Sequence, residues 1–390
     1  MKNRFNMTKR YFCRNFKKIA ASMLAISMLV ALIGCAADTP VSPQAPAAAP
    51  VGQNDTAPIP HQPPPETTTA QENMTEALDD FPYPPEEPLE VITVTDQGGR
   101  TVIIQQPVER IVSGFYISTT ACIALGIADR LVGIEARAEA RPIYALSMPE
   151  LLLLPNVGTA RDFNLEACIA LEPDLVILPL RLRDTANILE ELGIPVILIN
   201  PENIEYLKEM LLLIGTATGA DERAEALLSH INAATSEFER LTADITHRPI
   251  VYMAGVSSYL STSPDDMFQA SLIRLAGGIN ALNIPGQSRV EISYEQLLAI
   301  DPDFIIIPPE AAYSRYDVMA NAQLQHLSAV VNGRVHQMPY DFEAWDSPIP
   351  SFTLGVRWLL HVLHDGVYSH EDFLDAVEAF YGEFYGVGVE

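Results

Sequence analysis

The stretch "NLEACIALEPDLVIL" at residues 164–178 is matched without a gap by "SYEQLLAIDPDFIII" at residues 293–307. The two copies share Glu, Ala, Pro and Asp at equivalent positions, and their apolar residues coincide. Asn164 and Ser293 are good N-cap residues, so each copy predicts a short helix. Each copy ends in a near-continuous apolar run, which is typical of a buried strand in a parallel sheet. One helix–strand unit therefore occurs twice, and we expect two similar lobes.

Short apolar strands alternate with helical stretches along most of the chain. The segment "ITVTDQGGRTVII" at residues 92–104 predicts a hairpin that turns at its Gly-Gly pair. Further strands are predicted at 110–114, 131–134, 174–178, 195–199, 250–256, 304–308 and 334–338, with helices at 184–192, 203–218, 350–364 and 370–385. This alternation indicates an α/β fold with parallel-type sheets.

A long helix is predicted in the middle of this pattern. Residues 221–244 contain neither Pro nor Gly, and their apolar residues recur at helical spacing. We therefore predict two Rossmann-like lobes, at residues 89–219 and 246–390, joined by one long α-helix at residues 220–245. The ligand cleft is expected between the lobes, and a helical link is expected to allow little hinge motion.

The first 88 residues do not have the composition of a folded domain. Residues 1–34 hold seven basic residues and no acid, with an uncharged apolar run at residues 19–33, which predicts an export signal. The run ends in "LIGC", which resembles the lipobox of bacterial lipoproteins and implies lipidation of Cys35. Residues 36–88 contain thirteen of the thirty prolines, so residues 35–88 are predicted to be a disordered tether. An ordinary signal peptide that happens to contain a Cys is the alternative.

The charge of the exported chain excludes nucleic acid as a partner. Without residues 1–34 the chain has 17 basic and 50 acidic residues, a formal charge of −33. Nucleic acid and anionic headgroups should repel such a body, so we expect the Cys35 lipid alone to hold it to the outer face of the cell membrane. Cys122 and Cys168 lie in apolar helical patterns and are expected to be buried thiols, although a disulfide between them stays open.

Glu166 and Glu295 occupy the second helical position of the two repeat copies. An acid in the first turn of a helix is stabilised by the helix dipole, by about 0.3–1 kcal/mol. This electrostatic role accounts for either residue singly. It does not explain why a Glu occurs at the same position of both copies.

The chain from about residue 91 to 386 resembles the helical-backbone class of ABC-transporter substrate-binding proteins, which takes up ferric siderophores, haem and vitamin B12. The resemblance rests on an ordered set of motifs: "VTDQGGRTVII", "IALGIADRLVGI", "NLEACIALEPDLVI", "LGIPVILI", "LIRLAGGINAL", "SYEQLLAIDPDFII", "VNGRVHQMP" and "GVRWLLHVL". It implies that Glu166 and Glu295, one per lobe, dock on the two subunits of a permease dimer that works with an ATPase. It also implies a monomeric binding protein that is not an enzyme.

Polar and aromatic residues that directly follow predicted strands are the candidates for ligand contact, because ligands of α/β proteins bind at the carboxyl ends of strands. The first lobe offers Tyr116, Arg137, Arg141, Arg161, Arg181 and Arg183; the second offers Tyr252, Ser258, Tyr259, Tyr313, Arg315 and Trp345. Arginines suit carboxylate, catecholate or oxyanion oxygens, and aromatic rings suit a flat chelate. Any single arginine could instead be solvated or paired with a nearby acid.

The histidines argue against a bare metal ion as the ligand. None lies between residues 91 and 229, so the first lobe supplies no His ligand. We therefore predict no metal site and no resident cofactor.

The expected ligand is an anionic metal chelate, with a ferric siderophore as first choice. Corrinoid, haem and a molybdate-type oxyanion are the alternatives. The absence of nucleophile, zinc-protease and P-loop motifs disfavours an enzyme, and a ligand-sensing surface lipoprotein is the other rival.

Overall fold

A computed structural model describes residues 90–286 and 288–388. The predicted signal segment, the tether and Cys35 lie outside these residues. The described chain starts with the predicted hairpin, β1 (Val91–Thr95) and β2 (Thr101–Gln105), which pair antiparallel. Val94, Val102 and Ile104 are buried on one face of this hairpin, as the alternation of apolar residues requires.

The first lobe contains a four-stranded parallel sheet in the order β4-β3-β5-β6. The strands are β3 (Ile111–Ser113), β4 (Leu131–Gly133), β5 (Leu175–Pro179) and β6 (Val196–Ile199). Its helices are α1 (Tyr116–Ala124), α2 (Pro142–Ser147), α3 (Leu165–Ile169), α4 (Arg183–Glu191) and α5 (Ile204–Thr218), with short 3-10 turns at Ala128–Arg130, Ala138–Ala140, Pro149–Leu153 and Leu180–Leu182. Every residue of β5 is buried, as expected for a strand covered on both faces.

The long helix α6 (Asp221–Thr242) follows α5 and connects the lobes. It begins one residue after the predicted start at 220 and ends three residues before the predicted end at 245. Its inward face buries Ala224, Leu227, Ile231 and Phe238 at helical spacing.

The second lobe contains a parallel sheet in the order β12-β11-β7-β9. The strands are β7 (Ile250–Met253), β9 (Ile279–Asn280), β11 (Phe304–Ile307) and β12 (Val335–Gln337); β8 (Ser261–Thr262) and β10 (Val290–Glu291) form a separate antiparallel pair. The helices are α7 (Phe268–Leu275), α8 (Tyr294–Ile300), α9 (Arg315–Ala320), α10 (Ser328–Val331), α11 (Phe352–Leu363) and α12 (His370–Tyr385), with a 3-10 turn at Ala322–Leu324. Read from the opposite edge, the order 9-7-11-12 repeats the 4-3-5-6 order of the first lobe. The lobes thus share one topology.

The two repeat copies fold alike in their details. The Asn164 side chain accepts a hydrogen bond from the Ala167 N–H at 3.0 Å, and Ser293 forms a reciprocal capping box with Gln296. The residue before proline takes a left-handed conformation in both copies, at Glu172 and Asp301. α8 ends directly before Asp301, whereas α3 ends at Ile169, three residues before Glu172. Proline disfavours helical backbone at the residue before it, so neither helix can continue through the shared acid–proline pair.

The aspartate that follows the proline in each copy holds the start of a neighbouring strand. Asp174 Oδ2 accepts hydrogen bonds from the N–H groups of Glu109 and Arg110, at 2.9 and 2.8 Å. Asp303 Oδ2 accepts one from Ile250 N–H at 2.8 Å. The aspartate at this position of both repeat copies therefore has the same structural role in each lobe.

The C-terminal helix α12 belongs to both lobes rather than to the second lobe alone. It packs on α11 and on α1 of the first lobe. Its buried residues Phe380, Tyr381 and Phe384 join one core cluster that contains residues of both sheets and of α6. The apolar face of α12 is thus buried against elements of the first lobe as well as the second.

Cys122 and Cys168 are free and buried. They do not form a disulfide, and burial raises the pKa of Cys168 to about 12. Among the described residues, no helix is long and apolar enough to cross a bilayer.

Candidate functional site

A cavity of about 450 Å³ lies where the carboxyl ends of β5 and β6 face the second lobe. Pro179 and Ile199 are the last residues of these strands, and Pro348 closes the cavity from the second lobe. Its wall consists of Phe115, Ile117, Pro179, Leu180, Arg181, Ile199, Asn200, Pro201, Glu202 and Pro348. Parallel α/β sheets bind ligands at this end of their strands. We refer to it as the larger cleft cavity.

A much smaller cavity, of about 10 Å³, lies beside it. Tyr116, Arg141, Tyr340 and Glu343 are among the residues that line it. The loop 344–349 separates the two, since Ala344 and Ile349 line the small cavity and Pro348 the larger one. The interface between the lobes is therefore nearly filled on one side of this loop and open on the other.

Polar contacts cross between the lobes at the filled side. Arg141 Nη1 lies 3.2 Å from Glu310 Oε1, and the Tyr116 hydroxyl donates to Ser347 Oγ at 3.1 Å. The Tyr340 hydroxyl lies 3.0 Å from the carbonyl oxygen of Ala140 and 3.2 Å from Glu310 Oε1. These contacts hold the loops of the two lobes together.

Two cavities with greater volumes than the larger cleft cavity lie at the other ends of the strands, where the strands begin. One, of about 800 Å³, is lined by residues that precede β3 and β4, such as Glu109 and Arg130. The other, of about 530 Å³, is lined by residues that precede β7, β11 and β12, namely Pro249, Asp303 and Arg334. Size alone would favour them, but they lie away from the strand ends where α/β folds bind ligands, so we assign the site to the larger cleft cavity.

Asp346 is a buried carboxylate at the interface of the lobes, with 5% of its surface exposed. Burial raises its pKa to about 6, and the positive charge of Arg289 acts in the opposite direction. Within the described part of the chain, no side chain donates a hydrogen bond to this carboxylate, and Arg289 does not come within ion-pair distance of it. Asp346 and Arg289 thus place one charge of each sign near the cleft.

Two further buried carboxyl groups are bound by hydroxyl groups. Glu135 accepts hydrogen bonds from Thr119 at 2.6 Å and Tyr144 at 2.7 Å, and its pKa is raised by burial. Glu343 accepts hydrogen bonds from the three hydroxyl groups of Ser351, Tyr381 and Tyr385. Each buried carboxyl group thus has its own hydroxyl donors. The two hydrogen-bond networks support the cleft loops from inside the protein.

Burial raises the pKa of Glu343 to about 7 from its ordinary 4.5, although the hydrogen bonds to it lower the pKa. Between these two pH values the folded state binds more protons than the unfolded state, so this group's contribution to stability falls as the pH rises. Glu343→Gln is permanently neutral. Between about pH 5 and 8, the free energy of unfolding of the parent should fall by roughly 2–3 kcal/mol more than that of the variant, as measured by urea denaturation. Parallel pH curves would contradict this.

Of the residues that the sequence analysis proposed for ligand contact, Tyr116 and Arg141 line the small cavity and Arg181 lines the larger cleft cavity. The Arg181 guanidinium lies 5.6 Å from the centre of the Phe115 ring on the wall of the larger cleft cavity. The Arg141 guanidinium lies 4.1 Å from the centre of the Tyr116 ring.

Tyr259 and Tyr313 lie together near the end of β7. Their ring centres are 5.4 Å apart, and the Tyr313 hydroxyl donates to the carbonyl oxygen of Gly255 at 2.6 Å. The Tyr259 hydroxyl forms a hydrogen bond with the Tyr294 hydroxyl and accepts one from the side-chain amide of Asn321. Neither tyrosine lines either cleft cavity.

Trp345, Tyr252 and Arg183 are placed away from the cleft surface, which corrects the sequence assignment. Trp345 is 2% exposed, and its Nε1 donates to the Tyr381 hydroxyl at 2.8 Å inside the core. Tyr252 points into the core of the second lobe, where its hydroxyl donates to the carbonyl oxygen of Tyr259. Arg183 donates to the carbonyl oxygen of Gly98 and holds the hairpin turn. Position after a strand does not determine the direction of a side chain.

Among the residues that the structure describes, the remaining candidates have no partner across the cleft. Arg137 and Arg161 are exposed in loops, and Arg137 has a left-handed backbone conformation. The Ser258 hydroxyl caps its own turn by accepting from Leu260 N–H. The Arg315 guanidinium contacts Met319 one turn along its helix.

The sequence analysis did not single out four polar residues at the lobe interface: Tyr340, which lines the small cavity, Glu310, which contacts Arg141, and the oppositely charged Asp346 and Arg289. Glu310 follows β11 by three residues, so the rule that found Tyr313 could have found it. Asp346 lies beside Trp345 in the same loop. Nothing in the sequence indicates that Arg289 reaches the end of β7, where it donates to the carbonyl oxygen of Ala254 at 3.2 Å.

Glu166 and Glu295 are exposed in the first turns of α3 and α8, at the second helical position as predicted. The Ser293 hydroxyl and the backbone N–H of Glu295 lower the pKa of the Glu295 carboxyl by hydrogen bonding to it. Within the described residues, no three His, Cys, Asp or Glu side chains come together as a metal site.

A sequence profile described as "Periplasmic binding protein" matches residues 111–341. The high-affinity heme uptake system protein IsdE of Staphylococcus aureus is 21% identical over 193 residues, which span 47% of this chain and 66% of that protein.

Two solved structures have the same fold. A periplasmic solute binding protein from Veillonella parvula superimposes with a TM-score of 0.69 at 25% identity, covering 77% of this chain and 94% of that one. The molybdate periplasmic binding protein MolA of Haemophilus influenzae, bound to molybdate, superimposes with a TM-score of 0.70 at 21% identity, covering 77% and 99%. The overall fold is thus common to all three structures.

Proposed function

Because the chain belongs to the periplasmic binding protein family, we propose that it is the substrate-binding component of an ABC importer and captures an anionic metal chelate, with a ferric siderophore as first choice. The observation that carries this proposal is the larger cleft cavity. Its walls combine proline and aliphatic side chains with the Arg181 guanidinium, which is held beside the Phe115 ring. Apolar walls with a few polar groups are typical of sites for organic ligands.

The size and composition of the cavity favour a chelate over the alternatives. Its volume of about 450 Å³ falls within the range of roughly 300–1,000 Å³ that small-molecule sites occupy. An inorganic oxyanion would leave most of it empty. Among the described residues that line it, there is no His, Met, Cys or Tyr, the side chains that hold haem iron. A metal that is already coordinated by its own chelator needs no such ligand, which also keeps a corrinoid as an alternative.

Permease docking, the oligomeric state and membrane attachment are also proposals. Glu166 and Glu295 would dock one lobe each on the two permease subunits, since both carboxylates are exposed at equivalent positions of two similar lobes. The protein would act as a monomer, tethered through lipidated Cys35 on the extracytoplasmic face of the membrane. A ligand-sensing surface lipoprotein is the alternative role for the same lobes.

Isothermal titration calorimetry against ferric siderophores, cobalamin, haem and molybdate tests the ligand. Calorimetry is preferable to tryptophan fluorescence, because Trp345 and Trp358 are only 2% and 8% exposed. At least one ferric siderophore is expected to bind with a Kd of about micromolar or below. If no metal chelate binds in this range, the proposed ligand class is wrong.

Arg181→Ala should weaken chelate binding about tenfold, the effect of removing one charged hydrogen-bond donor. Arg183→Ala is the matched control. Arg183 lies two residues away but donates to Gly98, so its loss should leave the affinity unchanged. Equal affinity losses in both variants would contradict a direct role for Arg181.

A further inference from the structure

The ion pair between Arg141 and Glu310 crosses from one lobe to the other at the cleft. Arg141 precedes α2 in the first lobe, and Glu310 follows β11 in the second. The two side chains are 20% and 34% exposed, so the pair is partly shielded from solvent. Within the described residues, Glu310 is the only carboxylate within ion-pair distance of Arg141.

Arg141 is held in place by groups other than Glu310. Its guanidinium lies over the Tyr116 ring, and Tyr116 is itself bonded to Ser347. The buried carboxyl groups Glu135 and Glu343 contribute to the potential at Arg141, but hydroxyl groups already bind them. The guanidinium is therefore positioned in advance to receive an anionic oxygen at the cleft, and its contact there is a side chain of the protein itself.

The space beside this pair is almost filled. Only about 10 Å³ remains in the cavity that Arg141 and Tyr340 line, whereas about 450 Å³ is open on the other side of the loop 344–349. The Tyr340 hydroxyl also contacts the Glu310 carboxylate and helps to hold it. A ligand oxygen that binds Arg141 on the side facing Glu310 therefore has to displace this carboxylate.

We propose that the Glu310 carboxylate occupies the place of the ligand's anionic oxygens on Arg141 and thereby makes the cleft select large, oxygen-rich chelates over simple oxyanions. This inference rests on the proposed function and refines its ligand class. A carboxylate tethered beside Arg141 competes as if present at roughly millimolar concentration. An inorganic oxyanion that displaces the carboxylate gains a contact with Arg141, but the contact between Arg141 and Glu310 is lost in exchange. A chelate gains the walls of the larger cleft cavity as well.

Molybdate titration of Glu310→Gln tests the proposal without requiring the cognate ligand. The amide keeps the size of the side chain and removes its charge. We expect molybdate to bind this variant at least about tenfold more tightly than the parent, by calorimetry. Adding Arg141→Gln should abolish the gain, because the oxyanion would lose its partner. Glu310→Ala should show the same gain as Glu310→Gln, and a folded state can be checked by circular dichroism.

Glu202→Gln is the matched control for charge alone. Glu202 is an exposed acid that lines the larger cleft cavity and takes part in no ion pair among the described residues. An equal gain in Glu202→Gln, no gain in Glu310→Gln, or a gain that survives loss of Arg141 would each overturn the proposal. Failure of the proposed function is a separate outcome, since it appears as absence of chelate binding by the parent protein.

Discussion

Import by the cognate permease is expected to be abolished by Glu166→Arg combined with Glu295→Arg, while ligand affinity stays unchanged. Both carboxylates are exposed in the first turn of equivalent helices, α3 and α8. If each faces an arginine of one permease subunit, reversal turns two attractions into two repulsions. Removing one partner of a buried interfacial charge pair already costs about 2–5 kcal/mol. The measurements are stimulation of ATP hydrolysis in the reconstituted transporter and calorimetry of the ligand.

A second double reversal, Glu191→Arg with Glu378→Arg, controls for the change in net charge. Both residues are exposed on helices, α4 and α12, and neither lies in a first turn. This variant should stimulate the transporter like the parent. Loss of stimulation in the control, or loss of ligand affinity in Glu166→Arg with Glu295→Arg, would contradict the docking assignment.

Trp345→Ala is expected to lower the free energy of unfolding by about 3–5 kcal/mol, the usual cost of truncating a buried large aromatic side chain. The indole is 2% exposed, packs 5.7 Å from the Phe373 ring and donates a hydrogen bond to Tyr381. Truncation leaves a cavity between the loop 344–349 and α12. Urea denaturation followed by circular dichroism measures the effect.

Trp345→Phe separates packing from hydrogen bonding. The phenyl ring keeps most of the buried area and loses only the donor to Tyr381, so a loss of about 1–3 kcal/mol is expected. If Trp345→Ala instead keeps its stability but binds ligand more weakly, Trp345 belongs to the ligand site, as the sequence had predicted.

Most of the fold follows from patterns that depend on neighbours in the chain. Alternating apolar residues predicted the hairpin of β1 and β2, and helical spacing predicted α6 to within three residues at each end. Both patterns depend on which side of an element faces the core, and a local sequence records that directly. The place of α12 could not be predicted in this way. Its apolar face shows that it packs on something but does not show that α1 of the other lobe is the partner.

The ligand site was predicted less well than the fold, for a physical reason. Strand order brings the residues after β3, β4, β5, β7 and β11 to one region, and of the predicted contacts Tyr116, Arg141 and Arg181 line the cleft cavities. Rotamers and the packing of loops then decide which side chains enter the cleft. Trp345 turns into the core to meet Tyr381, whereas Glu310 reaches across to Arg141.

The sequence by itself determined the repeated helix–strand unit, because caps, proline stops and apolar periodicity act over a few residues. It also placed Glu166 and Glu295 at equivalent positions. Only the tertiary structure decided that Arg141 meets Glu310, that Asp346 is buried near Arg289, and that the open volume lies beside Phe115 and Arg181. These are contacts between residues distant in the chain, and their geometry arises when the two lobes pack on one shared core.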